Sequence, residues 1–214
     1  MSLRQTLACA RIRLRCWRHI KHLYWEHDRV SVDFHYSRFT ELGALRGIEL
    51  HHLGLYGTAV TDWSPLRALD FHSLNVGGTT FLSLDALNSK PLTSLELYQT
   101  PVHSLDGIQA MPLEFLQIGA THIRDFSSVA RLPLKSLLML HCQAEDLSFL
   151  AGLDLERFGC TFTRATRGLE ILRGMRRLQW VHTTEYDSFS AAEFWHRMDH
   201  QLPLDENLNS YRSA

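Results

Sequence analysis

Along most of the chain the apolar residues return at the same offsets every 21 positions. Counting the first apolar residue of each unit as position 0, positions 0, 3 and 5 are filled by Leu50, Leu53 and Leu55, then by Phe71, Leu74 and Val76. The same three positions hold Leu92, Leu95, Leu97; Leu113, Leu116, Ile118; Leu134, Leu137, Met139; and Leu155, Phe158, Cys160. A degenerate unit lies upstream in phase, with Val32 and Phe34 at positions 3 and 5, and after Leu155 two inserted residues precede a last strand at Leu178–Val181. Alternation at 3 and 5 predicts a short strand with two side chains directed inward. A constant step predicts that successive strands stack side by side, so the inward leucines share one core and each unit is stabilised by its neighbours.

The second half of the unit closes the turn back to the next strand. Position 12 is Asp62, Ser83, Ser104, Asp125 and Asp146, residue types that accept a backbone N–H at the start of a helical turn. Pro91, Pro112 and Pro133 at position 20 end that turn. Position 8 is Ser37, Thr58, Thr79, Thr100, Thr121, Cys142 and Thr163, a column of small side chains expected to bond loop backbone at the strand ends.

The expected fold is therefore an α/β solenoid: a parallel sheet of about eight strands on the concave face, short helical or 3₁₀ turns on the convex face, and a cap at each end. The handedness rule for parallel crossovers predicts a right-handed superhelix. Residues 1–28 read as the N-terminal cap. Leu3, Leu7, Ala10, Leu14, Trp17 and Tyr24 lie on one helical stripe, while Arg11–Cys16 alternates like a strand, and the helix is the favoured reading. Residues 29–186 are the repeats and 187–202 the C-terminal cap. There Ser190 and Glu193 form a capping box, flanked by Phe189 and Phe194 as a hydrophobic staple, for a helix from Ala191 to about Gln201. Residues 203–214 are a polar tail.

The pattern LxxLxLxxTxVxDxSxLxxxP, followed by the Ala191–Trp195 ending AAEFW, resembles the leucine-rich repeat regions of bacterial proteins, especially those attached to serine/threonine kinases of planctomycete type. That resemblance covers roughly residues 29–199 and implies a noncatalytic protein-interaction scaffold. No glycine-rich phosphate loop, HRD-like loop or DFG triplet accompanies it, so no kinase residue is carried over and no enzyme is expected.

Composition adds a charge asymmetry. The chain has 22 basic and 23 acidic residues among 214, yet Arg4, Arg11, Arg13, Arg15, Arg18 and Lys21 precede the first acid. This segment supports a second reading, nucleic-acid or anionic-surface binding through residues 4–21, and it also looks like a transit peptide. The helical cap with its arginines in solvent is preferred, since no RNA-binding or DNA-reading signature accompanies the charge. No apolar run reaches the roughly 18 residues of a membrane span, and the four cysteines form neither a CxxC pair nor a dense disulfide framework. A cytoplasmic monomer is expected.

Partner-binding candidates are the side chains between the inward leucines: Tyr56, Glu96, Tyr98, Gln99, Phe115, Gln117, Leu138, Leu140, His141, Arg157, Trp180 and His182. Exposed aromatics and arginine on a rigid sheet are the residue types that dominate protein interfaces. Thirteen histidines raise the question of metal, but His51, His72, His103, His122 and His141 occupy different columns. No metal site or cofactor is expected from them.

Overall fold

In a computed structural model the described residues are 3–26, 28–88, 90–142, 144–163 and 166–204. The strands are β1 (His22–Glu26), β2 (Arg29–Asp33), β3 (Leu50–Gly54), β4 (Ser73–Asn75), β5 (Ser94–Glu96), β6 (Phe115–Gln117), β7 (Ser136–Met139), β8 (Arg157–Cys160), β9 (Trp180–His182) and β10 (Ser188–Ser190). They form one ten-stranded sheet in sequence order. β2 to β9 pair in parallel, and these are the eight strands expected from the repeat. Two more, β1 and β10, pair antiparallel at the ends. A parallel stack leaves a bare edge at each end, and a hairpin strand occupies it before the chain continues.

Register follows the 21-residue step. Leu53, Leu74, Leu95, Leu116, Leu137, Phe158 and Val181 are laterally paired across successive strands. All are fully buried, and the columns at positions 0 and 5 join them in one continuous core. Beyond each strand the ladder extends: the position-5 N–H of Leu55, Val76, Leu97 and Ile118 donates to the position-4 carbonyl of the next unit at 2.7–3.0 Å. Tyr36, Gly57, Gly78, Gln99, Ala120 and His141, all at position 7, have φ between 52° and 62°. The left-handed turn there reverses the chain out of the strand, and four of the six residues adopting it are neither Gly nor Asn.

The hydroxyl column bonds within its own strand end. Thr58, Thr79, Thr100 and Thr121 each donate to the carbonyl three residues earlier at 2.5–2.8 Å, and Cys142 reaches back to the Ile118 carbonyl of the preceding unit. On the opposite side of the core, Asp62, Ser83, Ser104, Asp125 and Asp146 accept the N–H two residues ahead at 2.8–3.2 Å. Short 3₁₀ turns follow at Ser64–Ala68, Leu84–Leu87, Ser127–Arg131 and Ser148–Leu150. The lengthened unit after Leu155 carries a helix, α2 (Leu169–Gly174), where four of the five preceding units carry a 3₁₀ turn. In numbering order it follows α1 (Leu3–Cys16) and precedes α3 (Ala191–Asp199).

The N-terminal segment differs from expectation in two respects. The helix ends at Cys16, and the stretch containing Tyr24 and Trp25 is strand β1. Its buried face is also the other one: Ile12 and Cys16 are buried, whereas Leu7, Leu14 and Trp17 are 55%, 82% and 66% exposed. The arginines decide the rotation. Arg11 donates to the carbonyls of Arg46 (3.1 Å) and Gly47, and Arg15 to that of Ala44 (3.0 Å), so both guanidinium groups dock on the end of the 3₁₀ turn Leu42–Leu45. Unpaired carbonyls at a helix end attract cations, and docking two arginines there turns the apolar stripe outward.

At the other end Ser190 Oγ accepts the Glu193 N–H at 3.2 Å. Glu193 Oε1 accepts from Arg197 Nε at 2.7 Å. Phe194 is buried against Phe162 at 5.1 Å between ring centroids, and Trp195 and Met198 pack at the margin of the core. Arg173 stacks on the Trp195 ring. The expected tail lies outside the described residues from 205 onward.

Candidate functional site

The open face of the sheet is built from positions 2, 4 and 6, whose side chains alternate with the buried leucines. Strand spacing of about 4.8 Å makes the run from β2 to β9 about 34 Å long. Its two halves differ in chemistry.

The N-terminal half is polar and internally bonded. Asp33, at the end of β2, and His35, two residues on, share a face, and His52 stands beside them on β3. Asp33 Oδ1 lies 3.2 Å from His52 Nε2 and 3.3 Å from His35 Nε2. Behind His52, its Nδ1 is 2.7 Å from Ser73 Oγ on β4. Gly54, paired with Asp33 in the register, forms the floor, and a Cβ there would lie 1.8 Å from Asp33 Oδ1 and 2.5 Å from His35 Nε2. Burial raises the Asp33 pKa, but the His52 hydrogen bond and the charges of His52, His35 and His22 outweigh it and hold the carboxyl below its ordinary value. Burial lowers His35 against the pull of Asp33. The row continues through Asn75, whose Nδ2 donates to Glu96 Oε2 at 2.9 Å and whose Oδ1 accepts the Gly77 N–H. Burial raises the Glu96 carboxyl, His52 opposes it and Asp33 adds to it.

The C-terminal half is more apolar. At position 2 Phe115, Ser136, Arg157 and Trp180 stand on neighbouring strands, and at position 4 Gln117, Leu138, Gly159 and His182. Arg157 and Trp180 are exposed, Trp180 by 46%, while Phe115, Gln117, Leu138 and His182 are partly buried. Burial, and then the Arg157 charge, lower the His182 pKa. The result is an aromatic, an aliphatic and a guanidinium group side by side on strands whose backbones are fully paired.

Position 6 carries the tyrosines, and they lie against the sheet. A Cβ on Gly77 would meet the Tyr56 ring at 2.7 Å, and one on Gly119 the Tyr98 ring at 3.0 Å, so each ring covers the glycine of the next unit. Tyr56 Oη donates to Gln99 Oε1 at 3.2 Å, and Tyr98 Oη to Glu185 Oε1 from the loop after β9. His141 Nε2 is 3.5 Å from the same carboxylate. Gln99 and His141 occupy the left-handed turn, beyond the strand, and Leu140 is only 7% exposed.

The twelve candidates thus separate. Phe115, Gln117, Leu138, Arg157, Trp180 and His182 form one surface; Tyr98 and His141 join Glu185 at the rim; Tyr56 is tied to Gln99; Glu96 belongs to the polar row; Leu140 is largely covered. Comparing histidine columns predicts no ligand cluster, yet Asp33, His35 and His52 place one donor atom each within 4.8 Å of one another. The pattern Asp-x-His at the end of one strand with His two positions into the next unit is visible in the chain, but only the register shows that these residues meet. Glu185 had no sequence signal, because it follows the last repeat.

No known family model matches the chain, and no curated protein matches it. Among solved structures it is similar to an internalin (inlF) from Listeria monocytogenes str. 4b F2365, with a TM-score of 0.46 and 18% identity over 70% of this chain. The chain spans 46% of the length of that internalin chain.

Proposed function

We propose that the chain is a noncatalytic protein-binding scaffold, a cytoplasmic monomer, that takes its partner on the C-terminal half of the open face. The observation that carries this reading is the row Phe115–Arg157–Trp180 with Leu138 beside it. Arginine and tryptophan are strongly enriched at binding hot spots, and here both are exposed on a sheet that loses little entropy when a partner docks. Gln117 and His182 belong to the same surface, Tyr98 and His141 meet Glu185 at its rim, and Tyr56, Glu96, Gln99 and Leu140 lie outside it or are covered. The alternative, phosphate binding through residues 4–21, is weakened by the docking of Arg11 and Arg15 on backbone carbonyls.

The test is capture of a partner from the source cell by the intact chain and by a Phe115→Ala, Arg157→Ala, Trp180→Ala variant with unchanged circular dichroism. Loss of a captured protein in the variant supports the patch. Equal capture by both refutes it, and retention of nucleic acid that falls steeply with salt points to the N-terminal segment instead.

A further inference from the structure

We propose that Asp33, His35 and His52 bind a divalent transition-metal ion of the zinc class at the N-terminal end of the open face. Two imidazoles and one carboxylate are the donor types that such ions take, and three protein ligands leave a coordination position open. The spacing agrees with that use. Ligands about 2.0–2.1 Å from a tetrahedral ion stand about 3.3–3.4 Å apart, and the Asp33 Oδ1 separations from His52 Nε2 and His35 Nε2 are 3.2 and 3.3 Å. All three donor atoms fall within 4.8 Å of one another.

Three independent features support the site. His35 Nε2 is buried and has no hydrogen-bond partner among the described residues, because its approach to Asp33 is too poorly aligned for one. A buried nitrogen in that state is costly unless something else satisfies it. Second, Ser73 Oγ, 2.7 Å from His52 Nδ1, can accept a hydrogen bond from Nδ1–H, the tautomer that leaves the Nε2 lone pair for the metal. Third, only a glycine at 54 lets Asp33 Oδ1 and His35 Nε2 lie this close to the backbone, since a Cβ there would stand 1.8 and 2.5 Å from them. His22 pairs with Asp33 across the β1–β2 hairpin and its charge acts on Asp33 and His35, so it stands nearby as a fourth imidazole.

The experiment is calorimetric titration of the whole chain with Zn²⁺, with Co²⁺ absorption reporting the geometry. One equivalent binds to the unaltered protein. Asp33→Asn and His52→Ala each weaken it more than about 100-fold, and Ser73→Ala by about 10–100-fold, the usual effect of removing an outer partner. Gly54→Ala keeps all three ligands and loses binding by the same factor as His52→Ala. His196 on α3 and His200 at its C-cap, with ring centroids 4.4 Å apart, are a competing imidazole pair; a His196→Ala, His200→Ala variant retains the equivalent. No stoichiometric binding, binding unchanged in Asp33→Asn and His52→Ala, or loss confined to the α3 variant each overturns the proposal. Should Gly54→Ala fail to fold, Asp33→Asn and His52→Ala decide.

Discussion

The left-handed column at position 7 offers a matched pair of substitutions with opposite signs. Ala120 has φ +52° and Gly78 has φ +62°, and both donate their N–H to a position-6 carbonyl of the next unit at 2.8 Å. An L-residue in this conformation costs about 1–2 kcal/mol, partly offset because glycine brings about 0.5–1 kcal/mol more unfolded-state entropy. Ala120→Gly is therefore expected to stabilise the protein by about 0.5–1 kcal/mol. Ala120 is only partly buried, so the lost methyl takes back little of this. Gly78→Ala should destabilise by a similar amount, since Gly78 is exposed and its new Cβ would meet the Tyr56 ring at 3.4 Å, without a clash. The double variant should return close to the parent, because sites two units apart are nearly additive. Urea unfolding measures both midpoints at fixed temperature, and the slope must stay constant for the comparison to hold. A destabilised Ala120→Gly, or a Gly78→Ala at least as stable as the parent, would refute the account of the column as strained backbone.

Two further outcomes follow from burial of ionisable groups. The folded Glu96 carboxyl lies above its unfolded pKa, so its contribution to stability is present below the unfolded value and is lost as pH rises through the folded one. Glu96→Gln, which keeps an acceptor for Asn75, should thus be more stable than the parent near neutrality, with the difference shrinking as pH falls through the raised folded pKa toward the unfolded value of about 4.3; a difference constant with pH would count against it. Burial, and then the charge of Cys142, push the Cys160 thiol up to about 12, and burial also raises Cys142 and Cys16. Peptide mapping after alkylation of the native chain at pH ~8 should find Cys9 modified first, with the buried three reacting only as the protein opens; early modification of Cys160 would contradict the packing.

The repeat by itself determined the eight parallel strands, their register, the hydroxyl column and the capping residues of the turns. It could do so because a fixed step places like residues beside one another, so periodicity along the chain becomes adjacency across the sheet. Ser190 and Glu193 marked the start of α3 for a similarly local reason, a hydrogen bond spanning three residues. What the chain could not reveal depends on contacts between distant segments. Helical periodicity identifies a stripe on α1 but not which side faces the core, and Arg11 and Arg15 settled that by reaching carbonyls 29–36 residues away. Alternation places Tyr98 on the open face, yet the glycine of the next unit and Glu185 of the final loop lay its ring down on the sheet. Asp33, His35 and His52 are unremarkable as separate columns. Lateral pairing of β2 with β3, over a glycine that leaves room for them, makes them a cluster.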